Sequence, residues 1–172
     1  MRRVLVSSDL SLAKFHHVIQ AAMGWTDSHL HMFQMGPVRF VYPYQTGDLL
    51  EMTAIDSRKV KLAHIVPLQR PFRGEFRHVI EYEYDYGDSW RHEIAFEDVL
   101  PPDPKQKTPT CTDGARACPP EDVGGVGGYE NFVEAMKDAS HPEHDEYKEW
   151  ADGDFDPEAF DLDAVNLRLK GL

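Results

Sequence analysis

Phe76-Arg77-His78-Val79-Ile80-Glu81-Tyr82-Glu83-Tyr84-Asp85-Tyr86-Gly87-Asp88-Ser89-Trp90-Arg91-His92-Glu93-Ile94-Ala95-Phe96 is the stretch on which the fold turns. Phe76, His78, Ile80, Tyr82, Tyr84 and Tyr86 fall on one side of a period of two, and Arg77, Val79, Glu81, Glu83 and Asp85 fall on the other. That alternation is the mark of a half-buried strand. Gly87-Asp88-Ser89 supplies turn chemistry, after which Trp90, His92, Ile94 and Phe96 resume the period. The pattern predicts an antiparallel hairpin over 76–98 whose aromatic face is pressed onto helices.

Outward from the hairpin, Ser11 precedes Leu12, Phe15, Ile19 and Ala22/Met23 at helical spacing, with Gly24 as a left-handed stop, so a helix spans 11–23. Val4-Leu5-Val6 reads as a short strand, and Met32-Phe33 with Val38 to Tyr42 as a pair around Gly36-Pro37. Residues 101–128 are rich in Pro and Gly and read as one long loop, the kind that often carries function. Tyr129 to Lys137 reads as a helix, as do a short piece begun by Pro142 and final pieces capped by Asp156-Pro157 and Asp161, with Leu162, Val165 and Leu169 as the buried stripe. The expected architecture is a single α+β domain over 1–172: an antiparallel sheet around the 76–98 hairpin, packed against an N-terminal helix and C-terminal helices.

The chain has 172 residues, 41% of them apolar and 11% aromatic, enough for one sizeable core. Its net charge is −12, which disfavours generic nucleic-acid binding. Residues 1–102 hold 11 basic and 13 acidic side chains against 7 and 17 in 103–172, so the acidity is C-terminal. One basic stretch remains, Arg58, Lys59, Lys61, Arg70, Arg73 and Arg77, where an anion or acidic partner could bind, although a solvated face is the favoured explanation. No apolar run approaches a membrane span and no signal-peptide core follows Met1, so a cytoplasmic protein is expected. Cys111 and Cys118 are too few for a disulfide scaffold and read as free thiols.

Four ordered blocks carry a family resemblance. They are Val18-Ile19-Gln20-Ala21-Ala22-Met23-Gly24-Trp25 with His29-Leu30-His31; Tyr82 to Glu93; Gly114 to Gly125 with Gly128-Tyr129; and Phe155-Asp156-Pro157-Glu158 through Phe160-Asp161. Together they resemble the plasmid pRiA4b ORF-3-like family. The resemblance implies an α+β domain, and some members are labelled mobile-element passengers or transposon resolvases. A serine or tyrosine recombinase needs a nucleophile among Arg residues on a DNA-binding chain, and these acidic blocks supply no such set. The resemblance also implies a strand ahead of Met1; if the chain starts there, an open sheet edge invites a homodimer.

Several constellations could carry chemistry. Asp85, Asp88 and His92 surround the hairpin turn with Trp90, and two carboxylates with an imidazole suit a divalent cation or an acid/base pair. Alternation, however, places Asp85 opposite His92, and Asp and Gly also serve tight hairpins. Cys111 and Cys118, with His141 and His144 downstream, offer zinc-type donors at poor spacing. Glu121 and Asp122 are expected to bond loop amides or pair with Arg116. Gly124 to Gly128 could form an anion nest but lacks the flanks of a phosphate or dinucleotide loop. Asp152 to Asp163 imitates a calcium loop, yet Pro157 stands where that loop needs Gly. His16 and His17, adjacent on a helix, cannot both face one site, while His29 and His31 share a strand face near Trp25.

The expected function is therefore non-catalytic binding or an accessory role, linked through the family to mobile elements. Its recognition surface would be built from the Asp85 to His92 turn and the Cys111 to Gly128 loop, with Asp85, Asp88, Trp90, His92, Arg116, Glu121 and Asp122 as binding residues. The partner would be a protein or small ligand, with no membrane and no resident cofactor. A divalent cation is the exception, for which Asp88, His92, Cys111 and Cys118 are the donors. The alternative is a metal-dependent hydrolase or nuclease using Asp85/Asp88/His92 and Glu121/Asp122, which requires those groups to converge within one ion's reach.

Overall fold

The computed structural model describes residues 1–43, 54–66 and 79–172. Phe76, Arg77 and His78 of the expected strand, and Arg70 and Arg73 of the basic stretch, lie outside the described residues. From Val79 the hairpin forms as its alternation dictates. Strand β5 (Val79–Tyr84) pairs antiparallel with β6 (Trp90–Ala95), setting Tyr84 opposite Trp90, Tyr82 opposite His92 and Ile80 opposite Ile94. The inner face of this pair is almost fully buried at Ile80, Tyr82, Tyr84 and Trp90.

The alternation stops at Tyr84, earlier than expected. Asp85 takes a left-handed φ of 57°, donates its N–H to the Leu30 carbonyl, and accepts the Gly87 N–H on its own carboxylate. This turn re-aims the chain, so Tyr86 leaves the aromatic face and lies within the influence of Glu83 and Arg39.

Strand β2 (His31–Met35) pairs with β5, aligning Phe33 with Tyr82, and turns through Gly36 (φ 57°) into β3 (Val38–Val41). A two-residue strand β4 (Ile55–Asp56) adds parallel to β3, giving the order β4-β3-β2-β5-β6. The sheet is thus mixed at one edge, because the connection from 42 to 54 is long enough for the chain to return in the same direction.

Helix α1 (Leu12–Met23) is capped by Ser11, whose hydroxyl accepts the Lys14 N–H, and ends at Gly24, whose φ of 99° few other residues adopt. Leu12, Phe15, Val18 and Ala22 form its buried stripe, and the Phe15 ring stands 6.1 Å from that of Phe33. Helix α2 (Leu62–Ile65) follows a 3₁₀ turn, and backbone bonds from Leu12 to Val60 and from Leu62 to Leu10 lash it to the start of α1. Arg58 and Lys59 pair with Asp56, and Lys61 with Asp9, so the described part of the basic stretch is met by local acids.

The 101–128 segment is not all loop. Strand β7 (Thr110–Gly114) runs antiparallel to β1 (Arg2–Leu5) in a second, two-stranded sheet. Its sequence, Thr-Cys-Thr-Asp-Gly, has no apolar alternation, and its order comes from tertiary partners. Asn166 on the last helix accepts the Cys111 N–H and donates to the Cys111 carbonyl, standing in for a neighbouring strand.

Helix α3 (Gly125–Lys137) begins four residues before the expected Tyr129, because Gly125 to Gly128 form its first turn. These glycines answer to close approach. A Cβ on Gly128 would lie 2.0 Å from the Val123 carbonyl oxygen, and one on Gly125 2.5 Å from that of Asp88. Helices α4 (His144–Trp150) and α5 (Leu162–Leu169) complete the C-terminal layer around Phe132, with Asp161 capping α5. Asp156-Pro157 starts no helix: the Asp156 carboxylate accepts the Glu158 N–H in a turn. The architecture is α+β, and no helix among the described residues is long and apolar enough to cross a membrane.

Phe132 is fully buried among Tyr129, Tyr147, Trp150 and Phe155, so Phe132→Ala should cost about 3–5 kcal/mol in urea denaturation. Asn166→Ala leaves the Cys111 peptide without its partners and should cost about 1–3 kcal/mol in the same measurement.

Candidate functional site

Two polar residues, His16 and Gln20, interrupt the apolar face of α1 and are buried with it. They meet the Tyr82 hydroxyl, which accepts a hydrogen bond from Gln20 Nε2 (3.0 Å) and lies 2.8 Å from His16 Nδ1. His16 Nε2 stands 2.6 Å from Asp27 Oδ1, and the Asp27 N–H donates to Gln20 Oε1 at 3.0 Å, closing a ring of four groups. The carboxylate only accepts, so the His16 hydrogen sits on Nε2 and Nδ1 accepts the Tyr82 O–H.

The His31 ring lies flat on that of His16, with centroids 3.5 Å apart and planes 5° from parallel. Among the described residues neither of its nitrogens has a hydrogen-bond partner. Burial and the neighbouring His16 push the His31 imidazole down to about 3, and burial lowers His16 in spite of its bond to Asp27. Both rings are neutral at pH 7.

A second constellation adjoins this one across the Tyr84 ring, which His29 meets edge-on at 5.8 Å and His16 approaches at 6.4 Å. The Tyr84 hydroxyl accepts the Ser28 N–H and donates to Glu121 Oε1 at 2.5 Å. Glu121 also takes the Thr26 N–H and hydroxyl. Burial opposes its charge, but the bonds from Thr26 and Tyr84 prevail and hold the Glu121 carboxyl below the usual range. Trp25 Nε1 donates to the Pro119 carbonyl, so the 24–30 loop and the 115–122 loop are sewn together.

At the rim of this seam, His29, Asp85 and Asp122 converge, one donor atom from each lying within 4.8 Å of the others. His29 Nε2 is 3.2 Å from Asp122 Oδ1, and Nδ1 is 3.7 Å from Asp85 Oδ2. The Nε2 contact has an ion-pair distance but no hydrogen-bond alignment. Asp85 and Asp122 both adopt left-handed backbone, with φ of 57° and 60°, which aims their side chains here.

The expected site residues divide. Asp85 and Asp122 come together, joined by His29. Asp88 is committed elsewhere, its Oδ2 accepting the Gly124 N–H at the start of α3. Trp90 is core, beside Trp25 and Tyr129. His92 is half-buried and edge-on to Trp25, its Nδ1 facing the Trp90 carbonyl. Arg116 pairs with Glu158 on the surface rather than with Glu121 or Asp122.

Cys111 is buried with its thiol on the Asp113 carbonyl, and burial raises Cys118 to about 12. Among the described residues neither cysteine joins a group of three donors within one ion's reach, and His144 turns to the Ala135 carbonyl. His29 and His31, expected as a pair, separate into the two constellations. The partnership of His16 with His31 escaped sequence reasoning; the signal available was a His and a Gln four residues apart inside an apolar helical stripe.

The fold and the ordered blocks together define a member of one family. The chain belongs to the plasmid pRiA4b ORF-3-like proteins, whose pattern it matches over residues 1–164. It is 40% identical over 174 residues to the uncharacterized protein y4hQ of Sinorhizobium fredii (strain NBRC 101917 / NGR234), covering all of this chain and 84% of the relative. A crystal structure of the protein of unknown function MM3350 from Methanosarcina mazei Go1 superposes with a TM-score of 0.79 at 34% identity, over 94% of this chain and 86% of the other. Neither relative's name carries an activity.

Because the unfolded chain binds protons on His31 below about pH 6.5 while the folded chain resists them down to about 3, stability should fall with pH across that window. The expected loss is about 2 kcal/mol at pH 5, and His31→Phe should flatten that slope in urea denaturation at pH 7, 6 and 5.

Proposed function

We propose that the protein is a non-catalytic binding protein whose ligand-binding centre is a divalent cation held by His29, Asp85 and Asp122. The observation that carries this reading is the convergence of one imidazole and two carboxylates from three separate segments: the 24–30 loop, the hairpin turn and the 115–122 loop. A donor spacing of 3.2 Å between His29 Nε2 and Asp122 without hydrogen-bond alignment matches the roughly 3.3 Å between ligands of an ion bound at about 2.0–2.1 Å.

Nitrogen and carboxylate donors together favour manganese- or zinc-class ions over magnesium or calcium. The Asp122 side chain is 73% exposed, so the remaining coordination positions face solvent and suit an oxygen of a small ligand or of a partner protein. Binding is favoured over hydrolysis because the other polar groups that a hydrolase would use are committed. Glu121 and Tyr84 bond each other, Asp88 holds Gly124, and His92 packs on Trp25 with its Nδ1 at the Trp90 carbonyl. An accessory role beside mobile elements agrees with labels in the family, and the charge of −12 directs such a role to a protein or small ligand rather than to bare DNA.

Calorimetric titration of metal-stripped protein with Mn²⁺ and Zn²⁺ tests the site. Asp122→Asn should weaken the binding event assigned to it at least about tenfold while leaving the far-ultraviolet circular dichroism unchanged. Binding indifferent to both Asp122→Asn and His29→Ala removes the reading. Turnover of a phosphodiester by the metal-loaded protein would replace it with the hydrolase.

A further inference from the structure

We propose that His16, Asp27 and His31 form a second, buried site for a transition-metal ion of the zinc class. One donor atom from each lies within 4.8 Å of the others, and the set is separate from His29, Asp85 and Asp122. The inference does not rest on the outer site, since the two share no donor residue.

The observation that points to a ligand is His31. The residue is 2% exposed, yet both ring nitrogens lack partners among the described residues. A neutral imidazole so placed leaves one N–H and one lone pair bare, and each forfeits the hydrogen bond that it would make to water. Packing alone would be better served by Phe, which fills similar volume with no polar atom. An ion bound to the free lone pair removes half of that cost.

The rest of the constellation fits the same ion. His16 Nε2 and Asp27 Oδ1 face each other at 2.6 Å across a single proton. When the ion takes the Nε2 lone pair, the imidazole hydrogen moves to Nδ1 and is donated to the Tyr82 oxygen, whose own O–H gives up its bond to Nδ1 and turns aside; the ring stays neutral and no proton is lost. Tyr82, held by Gln20, then orients the ligand from behind, as second partners of metal-bound histidines do. Asp27 is partly exposed and His17 Nδ1 stands 3.4 Å from its second oxygen, which provides an entry path and a place for a fourth ligand, His17 or water.

In the stacked arrangement the in-plane lone pairs of His16 and His31 run parallel and cannot meet at one ion. Capture therefore turns His31 out of the stack, bringing one nitrogen onto the gap between His16 and Asp27. Two imidazoles and a carboxylate select zinc-class ions over magnesium or calcium.

The test uses full-length Asp122→Asn protein, in which the outer site is disabled. Co²⁺ serves as a spectroscopic probe, and Zn²⁺ stoichiometry is read by elemental analysis. The expected result is one ion per chain with a visible Co²⁺ ligand-field band. That band should be lost in Asp122→Asn/His31→Phe and in Asp122→Asn/His31→Gln, and should weaken about tenfold in Asp122→Asn/Tyr82→Phe. His31→Phe should fold at least as stably as the parent, which circular dichroism and urea denaturation verify, and His31→Gln tests the same donor without added ring volume. Asp122→Asn protein that binds no Co²⁺ or Zn²⁺, or His31 variants that bind as tightly as their parent, overturns the proposal and leaves a stacked core pair or a buried water at His31. Wild type and Asp122→Asn binding identically would remove the outer site alone.

Discussion

The Tyr82 hydroxyl is the point at which helix, sheet and loop are tied together. It sits at the centre of strand β5, fully buried, and is contacted by both polar residues of α1. Asp27, beyond the helix end, closes the ring through His16 and Gln20. An apolar core can slide by a fraction of a turn at modest cost, whereas a buried polar ring has one satisfied arrangement, and each partner left bare costs about 1–3 kcal/mol. The ring therefore sets where α1 lies on the sheet and where the chain leaves it after Gly24.

From that exit the remaining geometry follows. Trp25 reaches the Pro119 carbonyl, Thr26 and Tyr84 take Glu121, and Asp88 takes Gly124, so a segment with no apolar periodicity of its own is held at four points on the hairpin side of the molecule. His29 and Asp122 are carried to Asp85 by these attachments. The local field is negative: Asp27, Asp85, Glu121 and Asp122 gather there in a chain already at −12, and the interleaved bases are histidines, neutral where buried. Such a place attracts cations and repels phosphate, in keeping with metal-centred binding and against a nucleic-acid surface.

The sites were only partly legible beforehand, and the reasons are physical. Asp85 and Asp122 are legible as carboxylates near a turn and a loop, but their meeting with His29 is not, because alternation gives no guide once Asp85 leaves the strand region of φ. Asp88, Arg116 and His92 had the right chemistry and were absorbed by Gly124, Glu158 and the Trp25 ring. His16 and His31 read as unrelated, the one beside His17 on a helix and the other paired with His29 on a strand face, since no local rule pairs a helix residue with one fifteen positions on in a strand. Strand β7 and the first turn of α3 were hidden by residue types with poor intrinsic preference, held instead by Asn166 and by tight backbone approach.

What the sequence determined unaided is what depends on neighbours along the chain: the hairpin from its period of two, α1 from its stripe with Ser11 and Gly24 at its ends, the β2–β3 turn at Gly36, the Asp161 cap, and the family through its ordered blocks. Those features are set by backbone sterics and solvent partition acting over a few residues. The tertiary structure alone decided which carboxylate meets which imidazole. A side chain's partner across the fold depends on the helix's placement over the sheet and on left-handed turns at Asp85 and Asp122, neither of which leaves a periodic trace in the sequence.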